Sequence, residues 1–177
     1  MEGFIDELAA KAGKDPVAYR RALLDKAPRA RGVLDLAAEK AGWGTPMPAG
    51  SGRGVALLFG FGTYMAQVAE VAVGKDGQVR VQRVVCAVDC GMVVNPDTVQ
   101  AQIQGGIMFG ISAALYGAVT IKDGRVEQSN FDSYQVLRIN EAPAVDVHIV
   151  KSNEAPGGMA SSRSYWARCS RCWSPSG

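Results

Sequence analysis

The chain has 177 residues, of which 47% are hydrophobic and 20% charged, and its formal net charge is +2. This apolar content excludes a disordered chain, and 21 glycines without a triplet period exclude a collagen-like one. No apolar run approaches the roughly 18 residues that a membrane span needs, and the N-terminus is acidic and amphipathic, unlike a signal peptide. The composition predicts a soluble globular chain with a hydrophobic core.

The N-terminal part of the chain has helical spacing. Apolar residues recur at this spacing over residues 4–12, 16–26 and 30–41, and an Asp-Pro step starts the second of these runs. We therefore predict a helical segment over residues 1–42. A stretch rich in Gly and Pro follows over residues 43–54, and it is predicted to be a linker without a regular element.

Beyond the linker, the apolar residues alternate instead. β-Branched and aromatic runs over residues 55–59, 64–73 and 79–88 predict three antiparallel strands, with an Asp-Gly hairpin turn between the last two. A second Asp-Gly turn, at Asp123-Gly124, predicts a short hairpin, and residues 145–150 predict a further strand. The fold class expected is α+β: a helical lead and an antiparallel or mixed sheet, packed by one long helix.

That helix is predicted from about Pro96 to Leu115, with Asn95 as its cap. Isoleucines and other apolar residues recur along one face, yet the helix also holds Gly105, Gly106 and Gly110. Each interior glycine costs about 1 kcal/mol relative to alanine. Such a cost is expected where a backbone or a bulky ligand must approach closely.

Two glutamines lie in the first turns of this helix. Gln102 and Gln104 come just before the paired glycines. Side-chain amides beside backbone without Cβ atoms suit a planar polar heterocycle, which needs both donors and acceptors. A packed helix with two exposed glutamines explains the same residues equally well, so the pattern leaves both interpretations open.

Conventional catalytic motifs are scarce. A single histidine, His148, excludes a multi-histidine metal site, and its place in an alternating run indicates a strand-surface residue. No nucleophile elbow, phosphate-binding loop or dinucleotide fingerprint occurs. Cys86 and Cys90, at the end of a predicted strand, are expected to be buried and structural. No metal site is predicted from these residues.

Residues 160–177 differ in composition from the rest of the chain. They hold six of the eleven serines, two of the three tryptophans and three arginines, with no acidic residue. Without them the remaining chain has 16 Lys and Arg against 17 Asp and Glu, so the positive charge indicates neither nucleic acid nor membrane binding. Cys169 and Cys172 have the spacing of half a zinc site or a redox pair, but no second ligand pair accompanies them.

Several motifs occur together and in order across residues 3–159. They are an Asn-Pro step, the pattern Gln-Ile-x-Gly-Gly, the run NFDSYQVLR and an Ala-Pro-Gly-Gly turn. In this combination the chain resembles the molybdopterin-binding large subunit of the molybdenum hydroxylases, the xanthine dehydrogenase and aldehyde oxidase family, and within it the isoquinoline oxidoreductases. Residues 55–159 are then part of a molybdopterin-binding domain.

The resemblance implies an oxidoreductase that hydroxylates N-heterocycles or aldehydes with oxygen from water. It implies molybdenum held by a molybdopterin cytosine dinucleotide, and a small partner subunit with two-iron, two-sulfur clusters. The glutamine that matches Gln102 binds the pterin in that family, and Gly105 and Gly106 belong to the same wall. The catalytic base of the family is a glutamate in a Gly-x-Gly-Glu turn.

This sequence departs from the family at the base. The glutamate position falls on Ser161, which cannot serve as a base without a further residue to activate it. We therefore expect no catalytic residue here, an inactive fragment that binds no cofactor by itself, and a reading frame that shifts just after Met159. The alternative is a small non-catalytic binding or scaffold domain that uses the cysteine-bearing tail. The substrate, electron acceptor and compartment do not follow from the sequence.

Overall fold

The structure is a computed structural model and describes residues 2–158. The helical lead consists of α1 (Glu2–Lys11), α2 (Pro16–Ala22) and α3 (Pro28–Lys40). Asp15 caps α2 by accepting a hydrogen bond from the Ala18 N–H at 2.8 Å. The prediction that α2 continues to residue 25 or 26 is wrong. Tight turns follow Ala22, because the Leu23 N–H bonds the Arg20 carbonyl at 3.0 Å, and they lead into Pro28 at the start of α3.

Three long strands form an antiparallel meander: β1 (Ser51–Gly60), β2 (Thr63–Val73) and β3 (Val79–Asp89). The three predicted strands are confirmed, but the expectation of no regular element over residues 43–54 is wrong at its end. Strand β1 already begins at Ser51, which pairs with Ala72 of β2. The partner strand supplies the hydrogen bonds, so low intrinsic propensity of the glycines does not prevent pairing.

The chain then crosses the sheet through the long helix α4 (Pro96–Tyr116). The short strands β4 (Ile121–Lys122) and β5 (Arg125–Val126) pair as the predicted second hairpin, and a single 3₁₀ turn spans Ile139–Glu141. Strand β6 (Ala144–Ile149) returns parallel to β3, so the main sheet has the order β1-β2-β3-β6. A parallel partner requires such a crossover connection.

The sheet lies between α3 on one face and α4 on the other. Successive residues of β3 alternate between these layers: Val85 and Ala87 pack in the core of α3, and Val84, Cys86 and Val88 pack in the core of α4. The helical lead is tied to the sheet as well, since Glu2 accepts a hydrogen bond from the Leu57 N–H at 2.9 Å. The predicted α+β class with a mixed sheet is confirmed.

Among the helices within residues 2–158, none combines the length and the apolar character that crossing a membrane requires.

Candidate cofactor-binding site

The candidate site is built on α4, whose start is fixed by local sequence. Asn95 Oδ1 accepts a hydrogen bond from the Thr98 N–H at 3.2 Å, and Pro96 occupies the first turn. The cap sets which residues of the helix face the sheet. Ile103, Ile107 and Ile111 are fully buried there.

The opposite side of α4 is open. Gln102 and Gly105 are both exposed on it, one turn apart. The Gln102 side-chain amide makes no hydrogen bond to any other residue of the described part of the chain. A Cβ added at Gly105 would meet no atom of residues 2–158 within 4 Å. The structure therefore brings together a free amide donor and acceptor and a stretch of bare backbone.

The other predicted residues of the helix lie elsewhere on it. Gly106 is buried, as is Gly110, so both contribute to the side that packs on the sheet. Gln104 is half-buried. Of the three predicted cofactor-binding residues, Gln102 and Gly105 share the open face and Gly106 does not.

A groove of about 560 Å³ adjoins Gly105. It runs between α4 and residues 134–142, and its lining is mainly apolar; it includes Gly105, Phe109, Ser112, Tyr134, Leu137 and Ile139. Residues 134–142 are held to the helix because the Leu137 N–H donates to Ser112 Oγ at 3.0 Å. Such an apolar cleft with a few polar groups is typical of small-molecule sites.

A second hydrogen bond fixes the same segment. Tyr116 donates its hydroxyl to Glu141 Oε1 at 2.7 Å. This bond raises the pKa of the Tyr116 phenol, and it holds the pKa of Glu141 below its usual value, helped by the Arg138 N–H. At neutral pH the pair is a neutral phenol on a carboxylate. Sequence reasoning missed it, because no pattern links two residues so far apart in the chain.

Residues 154–158, called here the 154–158 segment, end the described chain beside the turn that follows β3. Gly91 has φ +73°, and a Cβ at this position would clash with the Ala155 carbonyl oxygen. The Gly157 N–H donates to the Cys90 carbonyl at 2.8 Å, and the Gly158 N–H donates to the Phe61 carbonyl at 2.7 Å. The Ala-Pro-Gly-Gly motif found in the sequence is thus a docked backbone segment.

A partly buried ion pair lies under the same turn. Asp89, 4% exposed, accepts two hydrogen bonds of 2.7 Å from the Arg29 guanidinium, which also lies 4.9 Å from the centre of the Tyr64 ring. The hydrogen bonds from Arg29 lower the pKa of Asp89 although burial opposes this effect. The pair is therefore charged at neutral pH. Sequence reasoning missed it too, since Arg29 belongs to the helical lead.

The remaining predicted residues take no part in the open face of α4. Cys86 and Cys90 are buried, as expected, and burial raises the pKa of the Cys86 thiol to about 12. His148 is half-buried in β6. Within residues 2–158 no three His, Cys, Asp or Glu side chains are grouped to hold a metal ion. Ser161, Cys169 and Cys172 lie outside the described residues.

Known sequences show which family this chain is similar to. Residues 8–143 match the family model of the molybdopterin cofactor-binding domain. The beta subunit of isoquinoline 1-oxidoreductase from Brevundimonas diminuta is 37% identical over 165 residues, which cover 90% of this chain and 21% of that protein. A nicotinate dehydrogenase subunit from Pseudomonas putida is 37% identical over 182 residues, covering 92% of this chain and 15% of that protein.

Solved structures share the fold. Quinoline 2-oxidoreductase from Pseudomonas putida 86 superposes with a TM-score of 0.56 at 22% identity, over 60% of this chain and 15% of that one. The Cu,Mo-CO dehydrogenase superposes with a TM-score of 0.55 at 19% identity, over 60% and 14%. At these identities the likeness concerns the fold alone.

The fold is of the α+β class, and the family match identifies a cofactor-binding domain. This chain belongs to the molybdopterin cofactor-binding domain family, as its motifs implied. It spans about a fifth of the length of the curated relatives it matches. Both relatives are subunits of oxidoreductases.

Proposed function

We propose that this chain supplies one wall of the molybdopterin site in a molybdenum hydroxylase. The observation that supports this function is the pairing of Gln102 and Gly105 on the open face of α4. The Gln102 amide has both a donor and an acceptor without partners in the described chain, and the missing Cβ of Gly105 leaves the backbone accessible beside it. These residues fit the edge of a pterin, which presents both kinds of hydrogen-bonding group.

In the proposed site the protein binds the cofactor and fixes its orientation. The Gln102 side-chain amide would donate to a pterin acceptor and accept from a pterin N–H, while the exposed backbone at Gly105 would form the wall beside it. When bound as molybdopterin cytosine dinucleotide, the cofactor supplies the oxidation chemistry that inserts a water-derived oxygen next to a ring nitrogen or carbonyl. The buried isoleucine face of α4 fixes the helix and so the position of Gln102.

The substrate and partner classes extend this proposal. The names of the two relatives point to nitrogen heteroaromatic substrates, isoquinoline for one and nicotinate for the other. We propose a heteroaromatic or aldehyde substrate and a partner subunit with two-iron, two-sulfur clusters. Because the glutamate expected as base falls on Ser161, the chain alone is proposed to be inactive. Because the chain covers only part of its relatives, we propose that it retains no stoichiometric cofactor after purification, although a free pterin added in excess still binds to the open face.

Titration with a free pterin tests the binding wall. The ¹⁵N-labelled chain is titrated with 6-hydroxymethylpterin, and the Gln102 side-chain amide and the Gly105 backbone amide are expected to shift in the ¹H–¹⁵N spectrum. Gln102→Ala should remove the response at Gly105. Gln100→Ala is the matched control, because Gln100 is an exposed glutamine on the same helix. Unmoved signals, or equal loss in both variants, would contradict the proposal.

The alternative of a scaffold domain rests on the cysteine-bearing tail. Cys169 and Cys172 lie outside the described residues, so no observation on the structure favours that function.

A further inference from the structure

The 154–158 segment has no secondary structure of its own, yet its backbone is fixed. The Met92 N–H donates to the Glu154 carbonyl at 2.9 Å, and the Gly157 N–H donates to the Cys90 carbonyl at 2.8 Å. Both bonds join the segment to the chain directly after β3. Residues 89–91, called here the 89–91 turn, therefore hold the start of the segment, while its end is held at the β1–β2 turn, where the Gly158 N–H donates to the Phe61 carbonyl at 2.7 Å and Thr63 Oγ donates to the Gly158 carbonyl at 2.9 Å.

Asp89 controls that turn. Its Oδ1 accepts the Gly91 N–H at 3.1 Å, which closes the turn on the side chain of its own first residue. The same carboxylate accepts two hydrogen bonds from Arg29. The Arg29 Nε lies 2.7 Å from Asp89 Oδ2, and its Nη2 lies 2.7 Å from Oδ1. A two-pronged contact of this kind leaves the carboxylate little freedom to rotate.

Arg29 is itself fixed from the other side. It lies in the first turn of α3, and its guanidinium lies over the Tyr64 ring. Tyr64 is the partner of Asp89 in the ladder between β2 and β3. Helix α3 also packs on the sheet through fully buried Val33, Leu34 and Ala37, so the helix does not depend on this ion pair for its docking.

We propose that Arg29 and Asp89 are positioning residues that hold the 154–158 segment through the 89–91 turn. The inference rests on the proposed function in one respect: in a molybdenum hydroxylase the chain after this segment carries the base-bearing turn. A lysine in place of Arg29 keeps the charge but has no planar fork, so it cannot hold both carboxylate oxygens at once. Residues of the helical lead thereby help to fix the backbone of the 154–158 segment.

Hydrogen exchange on the full chain tests whether Arg29 and Asp89 hold the 154–158 segment; this contact is called the clamp below. Arg29→Ala is expected to speed exchange of the Gly157 and Met92 amides at least tenfold beyond any change at Ile107, which reports the core under α4. Arg29→Lys should give an intermediate acceleration at the same two amides and none at Ile107. Arg53→Ala is the matched control, because Arg53 pairs with Glu70 at 2.9 Å, six residues further along β2 from Tyr64.

The outcomes separate a local clamp from general stabilisation. Equal acceleration at Gly157, Met92 and Ile107 would overturn the proposal, and so would an Arg53→Ala effect at Gly157 as large as that of Arg29→Ala. If Arg29→Ala does not fold, Arg29→Lys decides, and unchanged exchange at Gly157 in that variant also overturns the clamp. The pterin titration at Gln102 is read independently, so its failure would remove the proposed function without affecting this result.

Discussion

Gly91 is the residue on which the contact between the 89–91 turn and the 154–158 segment depends. Its backbone lies in the left-handed region, and the Ala155 carbonyl occupies the space where a side chain would start. Both features are unfavourable for any residue with a Cβ. Gly77, in the β2–β3 hairpin, has a similar φ of +80° but no neighbour within 4 Å of an added Cβ.

The two glycines give a matched pair of variants. We expect Gly91→Ala to lower the free energy of unfolding by about 3 kcal/mol, because conformational strain and a backbone clash add. Gly77→Ala carries the strain alone and should cost about 1 kcal/mol. Urea denaturation of both variants measures the difference. Equal losses would show that the contact with Ala155 does not determine the cost at Gly91.

Asp89 makes stability depend on pH in a defined direction. Its pKa in the folded chain is lowered by Arg29, so ionised Asp89 stabilises the fold above its unfolded pKa of about 3.9. That contribution is lost as the pH falls through the lowered folded pKa. Asp89→Asn should therefore lower the free energy of unfolding by about 2 kcal/mol at pH 7, less than for a fully buried pair because Arg29 is partly exposed.

The same measurement at lower pH checks the cause. Below about pH 4 the difference between wild type and Asp89→Asn should shrink, because Asp89 of the unfolded wild-type chain then binds a proton while the folded chain keeps the carboxylate ionised down to its lowered pKa. Asp146→Asn is a suitable control, since the pair of Asp146 with Arg83 is exposed and is expected to contribute less than about 1 kcal/mol. If the loss of unfolding free energy caused by Asp89→Asn does not change with pH, the effect comes from packing and not from the charge of Asp89.

At the scale of an element, α4 combines a face that packs on the sheet with the face proposed to bind the cofactor. Its isoleucines account for the packing, and its glycines lower the helix propensity. Gly105 is exposed with open space before it, so the packing of this chain gives no reason for a glycine there. A ligand that approaches the backbone does give one.

Gly105→Ala tests this separation of stability from binding. The variant should raise the free energy of unfolding by about 0.5–1 kcal/mol, because alanine is the better helix former and its Cβ meets nothing. It should at the same time weaken the pterin-induced shifts at Gln102. Gly32→Ala in α3 has equally open space and should stabilise without changing the pterin response. A stabilised Gly105→Ala that responds like wild type would remove the binding role of Gly105.

The helices and strands differ in how well the local sequence pattern predicted their bounds. The Asn95 cap, the isoleucine stripe and the β-branched runs determined α4 and the three long strands, because each residue type fits its own backbone state. The first residues of β1 and the end of α2 did not follow from pattern. Pairing with β2 extends β1 to Ser51, and the tight turns before Pro28 shorten α2.

At the scale of the whole molecule, the open face of α4 is proposed to be one wall of a larger site. The chain covers about a fifth of its relatives, and the proposed function leaves the other walls to other parts of the protein. We therefore expect the purified chain to contain no stoichiometric molybdenum when measured by elemental analysis. A molybdenum hydroxylase produced in the same host controls for cofactor supply. One molybdenum atom per chain would contradict the prediction.

The hypothesis that residues 160–177 arise from a frameshift is tested best on the coding DNA. Their composition departs from the rest of the chain, and the position of the expected glutamate is occupied by Ser161. We predict that another reading frame after the codon for Met159 encodes Gly-Glu-Pro followed by an alanine-rich helix. Translation of the coding DNA in the other two frames decides this. If neither frame reads so, the frameshift hypothesis is wrong.

By itself the sequence determined the α+β class and the long helix, because helix caps and apolar periodicity are local signals. The cofactor-binding roles of Gln102 and Gly105 stay predictions. Only the tertiary structure decided the parallel pairing of β6 with β3, the groove beside Gly105, and the pairs Arg29–Asp89 and Tyr116–Glu141. The two side-chain pairs join residues 25 and 60 positions apart. Their partners are chosen by how the layers pack, and no local propensity records that choice.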